Sequence, residues 1–178
     1  IKKGIVPPVE DEVAQAHHKI LIERMEAAGY VNYEFSNFAK KGFHSRNNTA
    51  YWKGEKHIGI GPSAHSYDGS RRAWNINNNP RYIKAIAEDK LQQEEEILSK
   101  TDQYDDYVNT RLRTQDGVFM EEIKSRFGEK MRTYLLQQAE KHIIEQLLFL
   151  DEDRLVVTKQ GKFLSDGIAA DLFLLNLV

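Results

Sequence analysis

Between residues 10 and 28 apolar side chains recur at steps of three and four: Val13, Ala16, Ile20, Leu21, Met25 and Ala28. This spacing predicts an amphipathic helix that buries these six residues. Glu10, Asp11 and Glu12 open it at the positive end of the helix dipole. Gly29 is placed to close it in a left-handed conformation. Residues 30–36 then alternate with period two and predict a strand. A helix, a glycine and a strand form half of an α/β unit. Residues 37–56 hold no sustained period. The run His57-Ile58-Gly59-Ile60-Gly61 predicts a short buried strand, and residues 71–76 a second. Pro80 suits the first turn of a helix carrying Tyr82, Ile83, Ile86 and Ala87.

The pattern changes near residue 100. Helices are predicted over 102–113 and 120–127, parted by the turn Gln115-Asp116-Gly117. A long helical stripe follows on Met131, Leu135, Ala139, Ile143 and Leu147. Leu148-Phe149-Leu150, the acidic turn Asp151-Glu152-Asp153 and Arg154-Leu155-Val156-Val157 read as a hairpin, and 160–175 as a closing helix. Three helices, a hairpin and a helix are the order of a winged-helix-like module. The expected division of the chain is 1–95 and 96–178.

Charge supports two units with different work. Residues 1–90 carry 14 Lys and Arg against 10 Asp and Glu, and residues 91–178 carry 11 against 17. Half of the 18 aromatics and eight of the ten Asn lie between Val31 and Tyr82. The chain is 40% hydrophobic and 29% charged, a globular balance that argues against wholesale disorder. No stretch approaches the roughly 20 apolar residues of a spanning helix, and no secretion leader is visible. There is no cysteine, so disulfides, thiolate-ligated metals and a Cys nucleophile are outside this chain's own chemistry. A reducing, cytoplasmic setting is expected. The opening at Ile1 reads as part of a longer protein.

Gly59-Ile60-Gly61-Pro62-Ser63-Ala64 lacks the third glycine and the following helix of a dinucleotide fingerprint. Two readings stay open for it: a strand exit where a flat ligand meets bare backbone, or a tight turn. The six His have no metal-site spacing. His17, His18 and His142 fall on helices, at the surface or core edge. His44, His57 and His65 share the aromatic stretch, where an imidazole can supply an axial iron ligand or a proton. The winged-helix order raises nucleic acid as a partner, but residues 117–171 hold 8 Lys and Arg against 10 Asp and Glu, and an acidic wing tip repels phosphate. No nucleic acid is expected, and a docking role is the alternative.

Three blocks in order resemble one family: Tyr33-Glu34-Phe35-Ser36-Asn37-Phe38-Ala39-Lys40-x-Gly42, then Ser45-Arg46-Asn47-Asn48-x-x-Tyr51-Trp52, then Gly59 to Tyr67. Leu112-Arg113-Thr114-x-x-Gly117, Phe127-Gly128 and Thr158-x-x-Gly161-x-x-x-x-Ser165-Asp166 continue it. The chain resembles the oxygen-independent coproporphyrinogen III oxidase-like radical S-adenosylmethionine proteins of HemN/HemW type, nearer the heme-chaperone branch. The resemblance implies an α/β fold, the last strands and helices of an incomplete (βα) barrel, followed by a mostly helical winged-helix-like domain. For a full-length protein it implies a [4Fe–4S] cluster bound upstream and S-adenosylmethionine, and a fragment inactive alone. Ser36, Asn37, Gly59, Gly61 and Ala64 are expected on the S-adenosylmethionine side. Arg46, Asn47, Asn48, Tyr51, Trp52 and His44 are expected on the heme side. The heme-chaperone signature is His-Asn-x-x-Tyr-Trp, and here its first position is Asn47, a poor iron ligand, which makes His44 the nearest replacement. Heme or a porphyrin is the expected ligand, and a heme-acceptor protein or a second copy the expected partner.

Overall fold

The computed structural model describes residues 8–174. The first helix, α1, spans Asp11–Ala27 and is closed by Gly29 at φ 79°. Its packing differs from the periodic expectation. Ile22 is its buried residue, while Val13, Ile20 and Leu21 are exposed. The helix leans on the chain that follows through the Ile22 side and through His18, whose ring stacks on Phe35 at 5.4 Å.

The strand expected over 30–36 is regular only at β1 (Val31–Asn32), which forms a small antiparallel hairpin with β2 (Phe38–Ala39). Past β1, Glu34 leaves this partner and bridges Thr114 in the second half of the chain. Residues 57–61 are not the buried strand that was expected. His57 makes a single antiparallel bridge to Tyr67, and Ile58 and Ile60 are 84% and 88% exposed. An isolated bridge pairs one edge and leaves the apolar side chains uncovered among the described residues.

A seven-residue helix, α2 (Arg46–Trp52), lies in the stretch without period, with the Ser45 hydroxyl accepting the Asn48 amide at its N-cap (3.3 Å). Next come β3 (His65–Tyr67), β4 (Arg71–Asn75), α3 (Asn79–Ala87) and β5 (Gln93–Ile97). The three strands make one antiparallel sheet in the order β3-β4-β5. The register sets Arg72 opposite Glu96 and Trp74 opposite Glu94. Arg71 reaches Glu95 at 2.8 Å, Arg72 reaches Glu96 at 3.6 Å, and the Trp74 indole donates to Glu94 at 3.1 Å. Opposite charges across a strand pair hold an otherwise unpromising Gln-Glu-Glu-Glu-Ile segment in the sheet. The strand runs across the expected division at 95/96.

The second half contains α4 (Lys100–Leu112), β6 (Val118–Phe119), α5 (Met120–Phe127), α6 (Glu129–Ile144), β7 (Leu148–Asp151), β8 (Arg154–Val157) and α7 (Ser165–Asp171). A capping box fixes the start of α4: Ser99 and Asp102 exchange side-chain to backbone hydrogen bonds at 2.8 and 3.1 Å. The strands pair antiparallel in the order β6-β8-β7. The closing helix is shorter than expected, since a 3₁₀ turn (Lys162–Leu164) precedes α7; its expected end at Leu175 lies outside the described residues. The main hydrophobic core lies here, around Tyr104, Val108, Leu112, Ile123, Leu135, Leu155 and Ile168. His142 belongs to this interior rather than to the surface, with Nε2 3.1 Å from Asp171.

In the first half much of what is buried is polar. Asn75, 1% exposed, donates from Nδ2 to the carbonyls of Gly59 (3.1 Å) and Gly61 (2.8 Å) and accepts from Gln93 (2.9 Å). One amide thus ties the glycine turn to β4 and β5. Asn75→Ala removes these three hydrogen bonds and leaves the Gly59 carbonyl without its protein partner, while the Gly61 carbonyl keeps the Ala64 amide at 3.3 Å, a loss of about 1–3 kcal/mol. Urea unfolding checks this, and an unchanged midpoint would show that the turn does not depend on Asn75.

Beyond the Glu34–Thr114 bridge, polar contacts tie the two halves together. The Gln115 amide donates to the Tyr33 carbonyl at 3.1 Å, Lys159 pairs with Glu26 at 2.6 Å, and Lys162 donates to the Asn32 side chain. Burial lowers the Lys162 pKa from its ordinary value, with Glu26 and Glu34 opposing that effect.

Candidate functional site

Helix α2 carries Tyr51 and Trp52 at its C-terminal end, where the two rings meet edge to face at 5.2 Å. They border a cleft of about 510 Å³. His57, His65 and Tyr67 continue the same wall. The opposite wall comes from the second half of the chain: Asp106, Tyr107, Arg111 and Arg113 of α4 and its C-cap, and Arg126 of α5. Arg72 of β4 lies between them. A volume of this size falls in the range of small-molecule sites, roughly 300–1,000 Å³.

Cations and rings interleave along the cleft. Arg113 lies over the Trp52 ring at 5.6 Å, which connects α2 to the C-cap of α4. Arg111 and Arg126 share the Tyr107 ring at 5.3 and 4.9 Å, and Arg126 also lies 4.9 Å from the Phe127 centroid. All are within cation–π reach. Asp106 is the carboxylate on this wall. Burial raises its pKa, and Arg72 at 3.2 Å opposes that rise. Burial also raises the pKa of the Tyr67 hydroxyl, which donates to the Gly69 carbonyl at 3.1 Å. The site is therefore cationic, with aromatic surface between its charges.

The residues expected from the sequence separate into three groups. Tyr51 and Trp52 line the main cleft. Asn47 and Asn48 line a second hollow of about 340 Å³ with Tyr51, Trp52, His57 and Ile58, on another side of α2. Arg46 is exposed and borders neither. The His44 ring stacks on Tyr33 at 4.4 Å and 10°, and lines a small depression with Glu34 and Trp52. Ser36, Asn37, Gly59, Gly61 and Ala64 line none of these clefts. Ser36 donates to the Glu34 carboxylate through its amide at 3.3 Å, and Asn37 accepts from Asn32 at 3.2 Å.

The two glycines of the turn differ. A Cβ at Gly59 would collide with the His65 carbonyl, so that glycine serves close backbone packing. Gly61, at φ 107°, has nothing within 4 Å of its Cβ position, and its amide donates to the Tyr82 hydroxyl oxygen at 3.1 Å. Sequence reasoning missed the arginines. Arg72, Arg111 and Arg126 stand in unrelated segments, and only Arg113 belonged to a recognised motif. Among the described residues no group of three or more His, Asp or Glu gathers to hold a metal ion, and no helix is long and apolar enough to cross a membrane.

The family model described as "HemN C-terminal domain" matches residues 84–164. The chain is 32% identical over 161 residues to the heme chaperone HemW of Lactococcus lactis, covering 90% of this chain and 42% of that protein. It is 31% identical over 168 residues to the heme chaperone HemW of Bacillus subtilis, covering 92% and 43%. The chain thus spans about two fifths of the length of these curated relatives. Among solved structures it is similar to the coproporphyrinogen III oxidase HemN of Escherichia coli, a radical SAM enzyme, with TM-score 0.65, 19% identity, and coverage of 88% of this chain and 40% of that one. At that identity the likeness establishes a shared mixed α/β fold.

Proposed function

The chain belongs to the HemN/HemW-type family of coproporphyrinogen III oxidase-like proteins, on its heme-chaperone branch, and from that premise we propose that it is the heme-handling part of a longer radical S-adenosylmethionine protein of heme metabolism. The observation that carries this reading is the cleft beside Tyr51 and Trp52, whose aromatic wall faces Arg111, Arg113 and Arg126. A porphyrin is a flat apolar ring with carboxylates at its edge, and stacking surfaces beside guanidinium groups match both parts. Heme is cargo in this reading, received and passed to an acceptor protein in the cytoplasm.

A [4Fe–4S] cluster needs cysteine thiolates. This chain has none, so its residues do not fit the cluster and no step through it is assigned to them. S-adenosylmethionine fits better. Gly61 offers bare backbone on which an adenine can lie, and Ser36, Asn37, Gly59 and Ala64 are the other positions that the family resemblance assigns to this ligand. In this reading residues 1–95 complete a (βα) barrel built mainly by the rest of the longer protein. The exposed Phe43, Ile58, Ile60, Ile83 and Ile97 support it, because surface of that kind calls for cover. Residues 96–178 form the winged-helix-like module. Its β7–β8 turn is acidic, which favours docking a protein, an acceptor or a second copy, over nucleic acid.

Titrating the chain with hemin tests the proposal. A Soret shift and quenching of tryptophan emission are expected, with Trp52→Ala weakening binding by roughly tenfold. Absence of both signals in the parent chain favours the docking role alone.

A further inference from the structure

The cations of the cleft are unequally neutralised. Arg72 is paired with Asp106 at 3.2 Å, Arg113 with Asp166 at 2.9 Å and Arg111 with Glu122 at 3.4 Å. Arg126 has no carboxylate within ion-pair distance among the described residues. Its guanidinium is held on the Tyr107 and Phe127 rings, and Arg111 lies on the same Tyr107 ring. Two guanidinium groups on one ring, with one carboxylate between them, leave excess positive charge at a fixed place. An anion supplied by a ligand relieves that repulsion.

The facing wall holds a prepared imidazole. His57 is half-buried, and its Nδ1 lies 3.1 Å from the carbonyl oxygen of Glu55. A carbonyl only accepts, so Nδ1 carries the proton and Nε2 of the neutral ring keeps its lone pair. An imidazole whose far nitrogen donates to a backbone carbonyl is the arrangement that orients a metal-binding histidine. His65, on the same wall, is exposed and stacks on Trp74 at 6.0 Å.

We propose that this cleft seats a carboxylated metalloporphyrin, with Nε2 of His57 as the axial iron ligand and Arg126, beside Arg111, anchoring the ring carboxylates. The inference rests on the heme-handling reading and names the groups that carry it. It also resolves the departure at Asn47. The ligand role moves ten residues along the chain, to a histidine on the wall that Tyr51 and Trp52 share.

The test uses the whole chain with three probes: hemin, free-acid protoporphyrin IX and protoporphyrin IX dimethyl ester. His57→Ala should lose the Soret shift of hemin, added imidazole should restore it, and His44→Ala should keep it. His57→Gln, which cannot ligate iron well but retains a polar side chain, should behave as His57→Ala and serves if the alanine variant does not fold. Arg126→Gln should weaken free-acid protoporphyrin binding roughly tenfold and leave the dimethyl ester unchanged. A normal Soret shift in both His57 variants, or equal losses for acid and ester in Arg126→Gln, overturns this assignment while heme handling stands. If the parent chain binds neither hemin nor protoporphyrin, both readings fall together.

Discussion

Tyr107→Ala should lower stability by about 3–5 kcal/mol, the usual cost of truncating a buried aromatic, and should also disable the cleft. Tyr107 is 6% exposed and belongs to the main core. Its hydroxyl accepts the Phe119 amide at 3.2 Å, and burial raises its pKa well above the ordinary tyrosine value. The same ring supports Arg111 and Arg126. Cation–π contacts at partly exposed sites contribute about 0.5–1 kcal/mol each, so the cavity term dominates the stability loss. The arginines matter instead for binding. Tyr107→Phe separates the two effects. It keeps the ring and loses one acceptor, at about 1–2 kcal/mol, and it should bind porphyrin as the parent does. Urea unfolding followed by circular dichroism, with porphyrin titration of each folded variant, reads both. A Tyr107→Ala chain as stable as the parent would remove this residue from the core.

Gly117→Val should cost about 3–5 kcal/mol, as backbone strain and overpacking act together. Gly117 has φ 71°, where a branched side chain is strained, and a Cβ there would stand 2.5 Å from the Leu155 carbonyl and 2.9 Å from a Val156 methyl. The carbonyl belongs to β8, which pairs through Leu155 with Val118 of β6. The obstruction therefore falls on the first rung of the sheet that closes the core. Gly128 provides the contrast. Its φ is 96°, but nothing lies within 4 Å of its Cβ position, so Gly128→Val carries the strain without the collision. Thermal unfolding of the two variants should rank Gly117→Val well below Gly128→Val, and equal transitions would show that the approach to Leu155 is not limiting.

Much of the helical structure was readable along the chain. The bounds of α5 match the expected 120–127, and α1 lies within a residue of expectation at each end. Local signals suffice there: period, end residues and a closing glycine act within one or two turns. The same signals misplaced the face of α1 and called residues 57–61 buried. Whether Ile20 or Ile60 is covered depends on which other surface arrives, not on neighbours in sequence. Strand β5 escaped notice because Gln-Glu-Glu-Glu-Ile has no strand pattern of its own. Its partners are the arginines of β4, and that pairing exists only once the sheet forms.

Taken alone, the sequence determined the family blocks, the helical order of the second half and the aromatic end of α2, because each is written in residues close together. The tertiary structure decided where these meet. It set Trp52 under Arg113, placed Arg111 and Arg126 on one tyrosine ring, and brought His57 rather than His44 to the main cleft. Those groups come from segments up to some 70 residues apart, and a site made from packing between segments leaves no periodic trace in any one of them.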